Sequence, residues 1–186
     1  DILESMAKSV DLETVMAGVA QYSSDVSIDA MLKNILSNRH RFYPPQTPEQ
    51  IATHFGVPKG KTPQDLIVEA FDQADLKLIS DCVPHLLKSG PRDVSVGEKL
   101  ALVRSLDFPN IALLESALLN GATTKSPFSA KIGSVPTKGL QTGSMAPMLD
   151  DLNDLMTRVE EFRNQRIACE NAVRTQALHA FANAFL

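Results

Sequence analysis

The sequence predicts an all-α protein, and three observations carry that prediction. Aromatic residues make up only 5% of the chain and Trp is absent, while the apolar share is 44%, so the core has to be aliphatic. Leu, Met and Ala suit helices, whereas sheets favour aromatic and β-branched residues. Two Thr-Pro pairs, Thr47-Pro48 and Thr62-Pro63, are each followed by Gln50 or Asp65 in the position that closes a capping box. Finally, no Gly or Pro interrupts the stretch from Met148 to Leu186. The expected architecture is a bundle of short helices over residues 1–121, a flexible linker or long loop over 122–147, and a long amphipathic helix over 148–186.

The elements follow in order. Ile2, Leu3, Met6 and Val10, then Val15, Met16 and Val19, recur at helical spacing, with Asp11 placed to cap a second helix. Ser27 is an expected N-cap for the amphipathic run Ile28, Met31, Leu32, Ile35 and Leu36. Residues 38–45, ending in Tyr43-Pro44-Pro45, are expected to be extended because proline restricts itself and its predecessor. The capping boxes then start helices over Pro48–Phe55 and Pro63–Phe71.

From Thr62 to Gly121 two helical hairpins resemble each other. One ends at Leu86-Leu87-Lys88-Ser89-Gly90 and the other at Leu118-Leu119-Asn120-Gly121. Both glycines are expected to cap a helix in the left-handed conformation. The second hairpin is expected to begin near Ser95 and to resume after Phe108-Pro109. Two units are too few for a solenoid, so the likeness is local.

Residues 122–147 are rich in Ser, Thr, Gly and Pro and carry Lys125, Lys131 and Lys138 but no acid. Unstructured connections beyond about 12–15 residues are uncommon within a compact domain. Beyond them Leu152, Leu155, Val159 and Phe162 repeat at a and d positions, and the pattern continues through Arg166, Cys169 and Val173. A straight helix of this length spans roughly 55 Å at 1.5 Å per residue, against a radius of gyration near 16 Å for a globule of this chain length.

Charge and composition limit the function classes. The net charge of -4 argues against binding nucleic acid over the whole surface. Residues 91–145 nevertheless carry a local excess of cations, which leaves room for a basic site. Two distant cysteines, Cys82 and Cys169, form no disulfide framework and are expected to be free thiols of a reducing, cytoplasmic compartment. No apolar run reaches the roughly 18 residues of a membrane span. A chain that begins at Asp1 instead of Met reads as a processed product or an excised domain.

The candidate interaction surface is the C-terminal stripe: Leu152, Leu155, Val159 and Phe162, with Leu178, Phe181 and Phe185 near the end. Each such side chain gains roughly 1.5–3 kcal/mol on burial, either against this chain's own helices or against a protein partner or second copy. The expected function is accordingly a non-catalytic scaffold, adaptor or assembly module acting through helix packing.

The runner-up is a nucleic-acid contact. Arg39, Arg41 and Tyr43, with Lys59 and Lys61 further along, interleave cations with an aromatic ring, a combination that holds phosphates and stacks bases. Residues 48–58 also resemble the first helix and turn of the DNA-binding helix-turn-helix, with small Ala52 four residues before Gly56. The helix after that turn carries Asp65, Glu69 and Asp72 but no Lys or Arg, and Thr62 replaces the usual apolar lock. Phosphates would be repelled there, so an ordinary packing corner is expected. Cys82 and His85 lack a second ligand pair, and no phosphate loop or hydrolase elbow occurs. No metal, cofactor or catalytic residue is expected.

Overall fold

The structure is a computed structural model that describes residue 17, residues 28–58 and residues 60–185. The expectations for Ile2, Leu3, Met6, Val10, Asp11, Val15, Met16, Val19 and the Ser27 cap lie outside these. The fold is all-α. Among the described residues it contains eight α-helices and no strand, only an isolated bridge between Leu119 and Ala130. The helices are α1 (Ile28–Ser37), α2 (Pro48–His54), α3 (Pro63–Ala70), α4 (Gln73–Leu86), α5 (Pro91–Leu100), α6 (Phe108–Leu118), α7 (Lys138–Gln141) and α8 (Leu149–Phe185).

Local chemistry explains most boundaries. Thr47 accepts from the Gln50 N–H while the Gln50 side chain accepts from the Thr47 N–H, and Thr62 with Asp65 repeats the exchange at α3. A third capping box, Asp72 with Asp75, starts α4. Phe71 between them is extended, at φ -136° and ψ 147°, so α3 and α4 are separate helices. At the end of α2, Val57 N–H donates to Ala52 and Gly56 N–H to Thr53. This closes a left-handed glycine cap, with Gly56 at φ 69°.

Three local expectations are corrected. Gly90 and Gly121 are not left-handed caps. Gly90 sits at φ -73° and ψ 169° and precedes α5, because the residue before a proline is pushed to extended conformations. Gly121 likewise lacks a positive φ; α6 ends one turn earlier, where Leu119 turns extended. The second hairpin therefore starts at Pro91, not near Ser95. Residues 38–45 are not extended throughout, since Arg39–Arg41 form a 3-10 turn. Proline restricts only its immediate predecessor, and Asn38 prolongs α1 by donating to the Asn34 carbonyl through both its backbone and its side chain.

The chain forms two compact units, one of residues Asp1–Lys61 with Ile167–Leu186, the other of Thr62–Arg166. In the Thr62–Arg166 unit, α5 packs against both α4 and α6. Gly97 on α5 makes this close approach possible: a Cβ there would lie 3.0 Å from Leu86 Cβ and 3.2 Å from the Leu87 side chain. The Phe71 and Phe162 rings meet edge-on at 5.3 Å. Arg158 forks onto Asp75 at 2.6 and 2.9 Å and also donates to the Ala70 carbonyl.

Residues 122–147 are a folded long loop, not a flexible linker. Asp93, fully buried, accepts from the Thr137 N–H and hydroxyl at 3.0 and 2.6 Å and from the Ser89 hydroxyl. Val135 and Met145 are buried as well. In the other unit Ile35 of α1 packs with Phe181 and Ala182 of α8, beside Met31, Leu32, Phe42 and Ala177.

Candidate functional site: a basic groove beside the end of α6

The groove is assembled by α5, the end of α6, the loop after it, and one residue of α8. On α5, Arg92, Ser95 and Lys99 stand at three- and four-residue spacing and so share one helix face. The end of α6 presents carbonyls without intrahelical partners, the negative end of the helix dipole. Two lysines answer it. Lys99 Nζ donates to the Ser116 carbonyl at 3.0 Å, and Lys131 Nζ donates to the Ala117 carbonyl at 2.6 Å.

Lys131 arrives there because the loop doubles back. Asn120 N–H donates to Ser129, Phe128 N–H to Asn120, and Lys131 N–H to Leu118. Phe128, with φ at 59°, turns its ring under the Arg163 guanidinium, 3.7 Å from the ring centroid. Such a stack contributes about 0.5–1 kcal/mol at an exposed site.

Two adjoining hollows result. One of about 490 Å³ is lined by Lys99, Glu115, Asn120, Phe128, Lys131 and Arg163, among others. A second of about 430 Å³ is lined by Arg92, Ser95, Val96, Lys99, Asn120, Lys131, Ser134 and Val135. They share Lys99, Asn120 and Lys131. Four cations thus face one groove whose lining contains a single acid, Glu115. That acid is already engaged by Arg163 at 3.5 Å and by Arg166 at 3.0 Å. Burial lowers the pKa of the Lys131 ammonium below its ordinary value, and repulsion from Lys99 adds to this. An anion placed between the two would offset the repulsion and favour the charged form of both.

The sequence-derived candidates fall differently. Leu152, Leu155, Val159 and Phe162 are all buried within the chain, as is Phe181. The part of the stripe from Leu152 to Phe162 is thus covered by this chain itself. Leu178 is exposed, as is Val173, while the side chain of Phe185 lies outside the described residues. In the basic and aromatic set, Arg41 and Tyr43 line one hollow of about 360 Å³ with Gln50 and His54. Arg39 is exposed and Lys61 half-buried, and neither joins that lining; Lys59 lies outside the described residues.

No family model matches this chain, and neither curated proteins nor solved structures give a match. The functional reading therefore rests on the groove and its chemistry. Among the described residues no three His, Cys, Asp or Glu side chains gather as metal ligands, and no described helix is long and apolar enough to cross a membrane. Cys82 and Cys169 are both buried and are not joined in a disulfide, and the Cys169 thiol donates to the Lys61 carbonyl at 3.5 Å. Burial, with the charge of Asp81, pushes the Cys82 thiol up to about 11, which leaves it protonated and unreactive at neutral pH.

Arg92, Lys99, Phe128, Lys131 and Arg163 were not singled out as a site by sequence reasoning. The available signal was the cation excess of residues 91–145 and the acid-free loop. Their convergence depends on the loop's return to the end of α6, which no local pattern announces.

Proposed function

We propose that this chain is a non-catalytic helical interaction module that holds an acidic segment of a partner protein in the groove beside α6. The observation that carries the reading is four cations, Arg92, Lys99, Lys131 and Arg163, lining adjoining hollows with one already paired acid. An exposed aromatic, Phe128, adds an apolar contact at the same place. Recognition thus moves from the buried α8 stripe to a polar groove. Exposed ion pairs contribute about 0.2–1 kcal/mol each, so a short acidic peptide is expected to bind weakly, with Kd on the order of 0.1 mM. A folded partner with more contact area would bind more tightly. Two buried cysteines that form no disulfide fit a reducing compartment such as the cytoplasm.

Fluorescence anisotropy tests the reading with a labelled peptide rich in Asp and Glu and carrying one Phe. Binding is expected to weaken as salt shortens the screening length from about 10 Å at 0.1 M to about 3 Å at 1 M. Lys99→Glu with Lys131→Glu is expected to abolish it. Salt-independent binding, or binding that survives the double charge reversal, defeats the proposal.

A nucleic-acid role is the second reading, favoured by one observation: Arg41 and Tyr43 face the same hollow. It predicts that single-stranded oligonucleotides bind with steep salt dependence and lose affinity on Arg41→Ala. The chain's net charge of -4 opposes it.

A further inference from the structure

The Arg92 end of the groove differs from the Phe128 end. Its lining offers Arg92, Lys99 and Lys131 together with the Ser95 hydroxyl, and no acid or aromatic residue; the Ser134 hydroxyl, also in the lining, donates to the Lys131 carbonyl. Lys99 and Lys131 donate to the carbonyls of consecutive residues, Ser116 and Ala117, which brings both ammonium groups to the same end of α6. Each ammonium has three N–H donors and uses one on its carbonyl, which leaves two apiece. Arg92 is exposed, and among the described residues none of the three cations forms an ion pair with an acid.

We propose that this end of the groove is a seat for a phosphate monoester carried as a phosphorylated serine or threonine on the partner's acidic segment. The inference rests on the acidic-segment reading above. A carboxylate brings one charge and two oxygens to three cations. A phosphate monoester brings a charge of about -1.5 to -2 and three acceptor oxygens, a closer match to paired ammonium groups, a guanidinium fork and a hydroxyl donor. A nucleotide fits less well because no aromatic ring lines this hollow to stack its base. A nucleic-acid backbone offers only single charges on its diesters, against the charge of about -1.5 to -2 on a monoester.

The test uses the full chain and three versions of one labelled acidic peptide, with serine, phosphoserine or glutamate at the centre. The phosphoserine form is expected to bind about tenfold more tightly than the glutamate form. Arg92→Gln and Ser95→Asp change exposed residues on the surface of α5, so folding is expected to be unaffected. Each alters the charge of the groove and is expected to weaken the serine peptide modestly, but to weaken the phosphoserine peptide more, so that the ratio of the two affinities falls to about one. Inorganic phosphate is expected to displace both peptides, since Lys99 and Lys131 serve both, and to narrow the difference between them as it fills the seat.

Equal binding of the phosphoserine and glutamate peptides overturns the seat but leaves the acidic-segment reading standing. Failure of all three peptides removes the acidic-segment reading itself. Tighter binding of adenosine monophosphate or of an oligonucleotide than of the phosphoserine peptide overturns a protein-borne phosphate. A preference that survives both Arg92→Gln and Ser95→Asp places the phosphate elsewhere and overturns the assignment.

Discussion

At the scale of single residues, the Asp75–Arg158 pair shows how much rests on one contact. Asp75 closes the capping box of α4 by accepting from the Asp72 N–H, and its two oxygens take the fork of Arg158, 83 residues away in sequence. Burial pushes the Asp75 carboxyl up, but the Arg158 hydrogen bonds and charge and the Asp72 N–H outweigh it, so its pKa falls below the ordinary value. A depressed carboxyl pKa adds stability that is fully present above the unfolded value of about 4 and is lost as pH falls through the folded one. Acid denaturation is therefore expected to begin below about pH 4 and to flatten in Asp75→Asn. Arg158→Met strands a buried carboxylate and is expected to cost about 3 kcal/mol in urea unfolding. His179 works at the same scale: its Nδ1 is buried without a partner, its ring meets Phe42 edge-on at 5.1 Å, and burial lowers its pKa. Its contribution is present above the unfolded pKa of about 6.5 and lost as pH falls through the lower folded value. Amide protection factors in α1 and the end of α8, corrected for the intrinsic pH dependence of exchange, are expected to fall as pH drops from about 7 to 5, and His179→Phe should remove that fall.

At the scale of elements, legibility followed locality. Thr47 with Gln50 and Thr62 with Asp65 form capping boxes whose partners lie three residues apart, so a sequence window contains the whole interaction. The gap-free stretch after Pro147 gave α8 for the same reason. The Gly90 cap misled because Pro91, equally local, overrides the left-handed tendency of glycine. The loop was opaque for a different reason: Thr137 is held by Asp93 across 44 positions, and composition alone reads such a segment as a tether. Two variants probe these elements. Asp93→Ala releases Thr137, and amide exchange over residues 129–142 is expected to speed up while α4 stays protected. Gly97→Val inserts methyl groups where even a Cβ would meet Leu86 at 3.0 Å, and overpacking of this kind is expected to cost about 1–3 kcal/mol in thermal or urea unfolding.

At the scale of the whole molecule, the stripe and the groove exchange the roles expected of them. The a and d periodicity correctly marked Leu152, Leu155, Val159 and Phe162 as residues that need cover, but periodicity carries no information on which chain supplies it. Their burial within the chain implies that Leu155→Asp unfolds the protein instead of altering its association. Circular dichroism is expected to show a lost or greatly lowered transition; a folded variant with a reduced light-scattering mass would restore the assembly reading. The groove was hidden for the opposite reason. Arg92, Lys99, Lys131 and Arg163 are scattered over 71 positions of an acidic chain, and only the return of the loop to the end of α6 gathers them. The most direct test is a map of amide chemical-shift changes on adding the acidic peptide to the isotope-labelled full chain. Shifts concentrated at Arg92, Lys99, Asn120, Phe128 and Lys131 are predicted; shifts centred on Arg41, Tyr43 and His54, or none at all, would contradict the account.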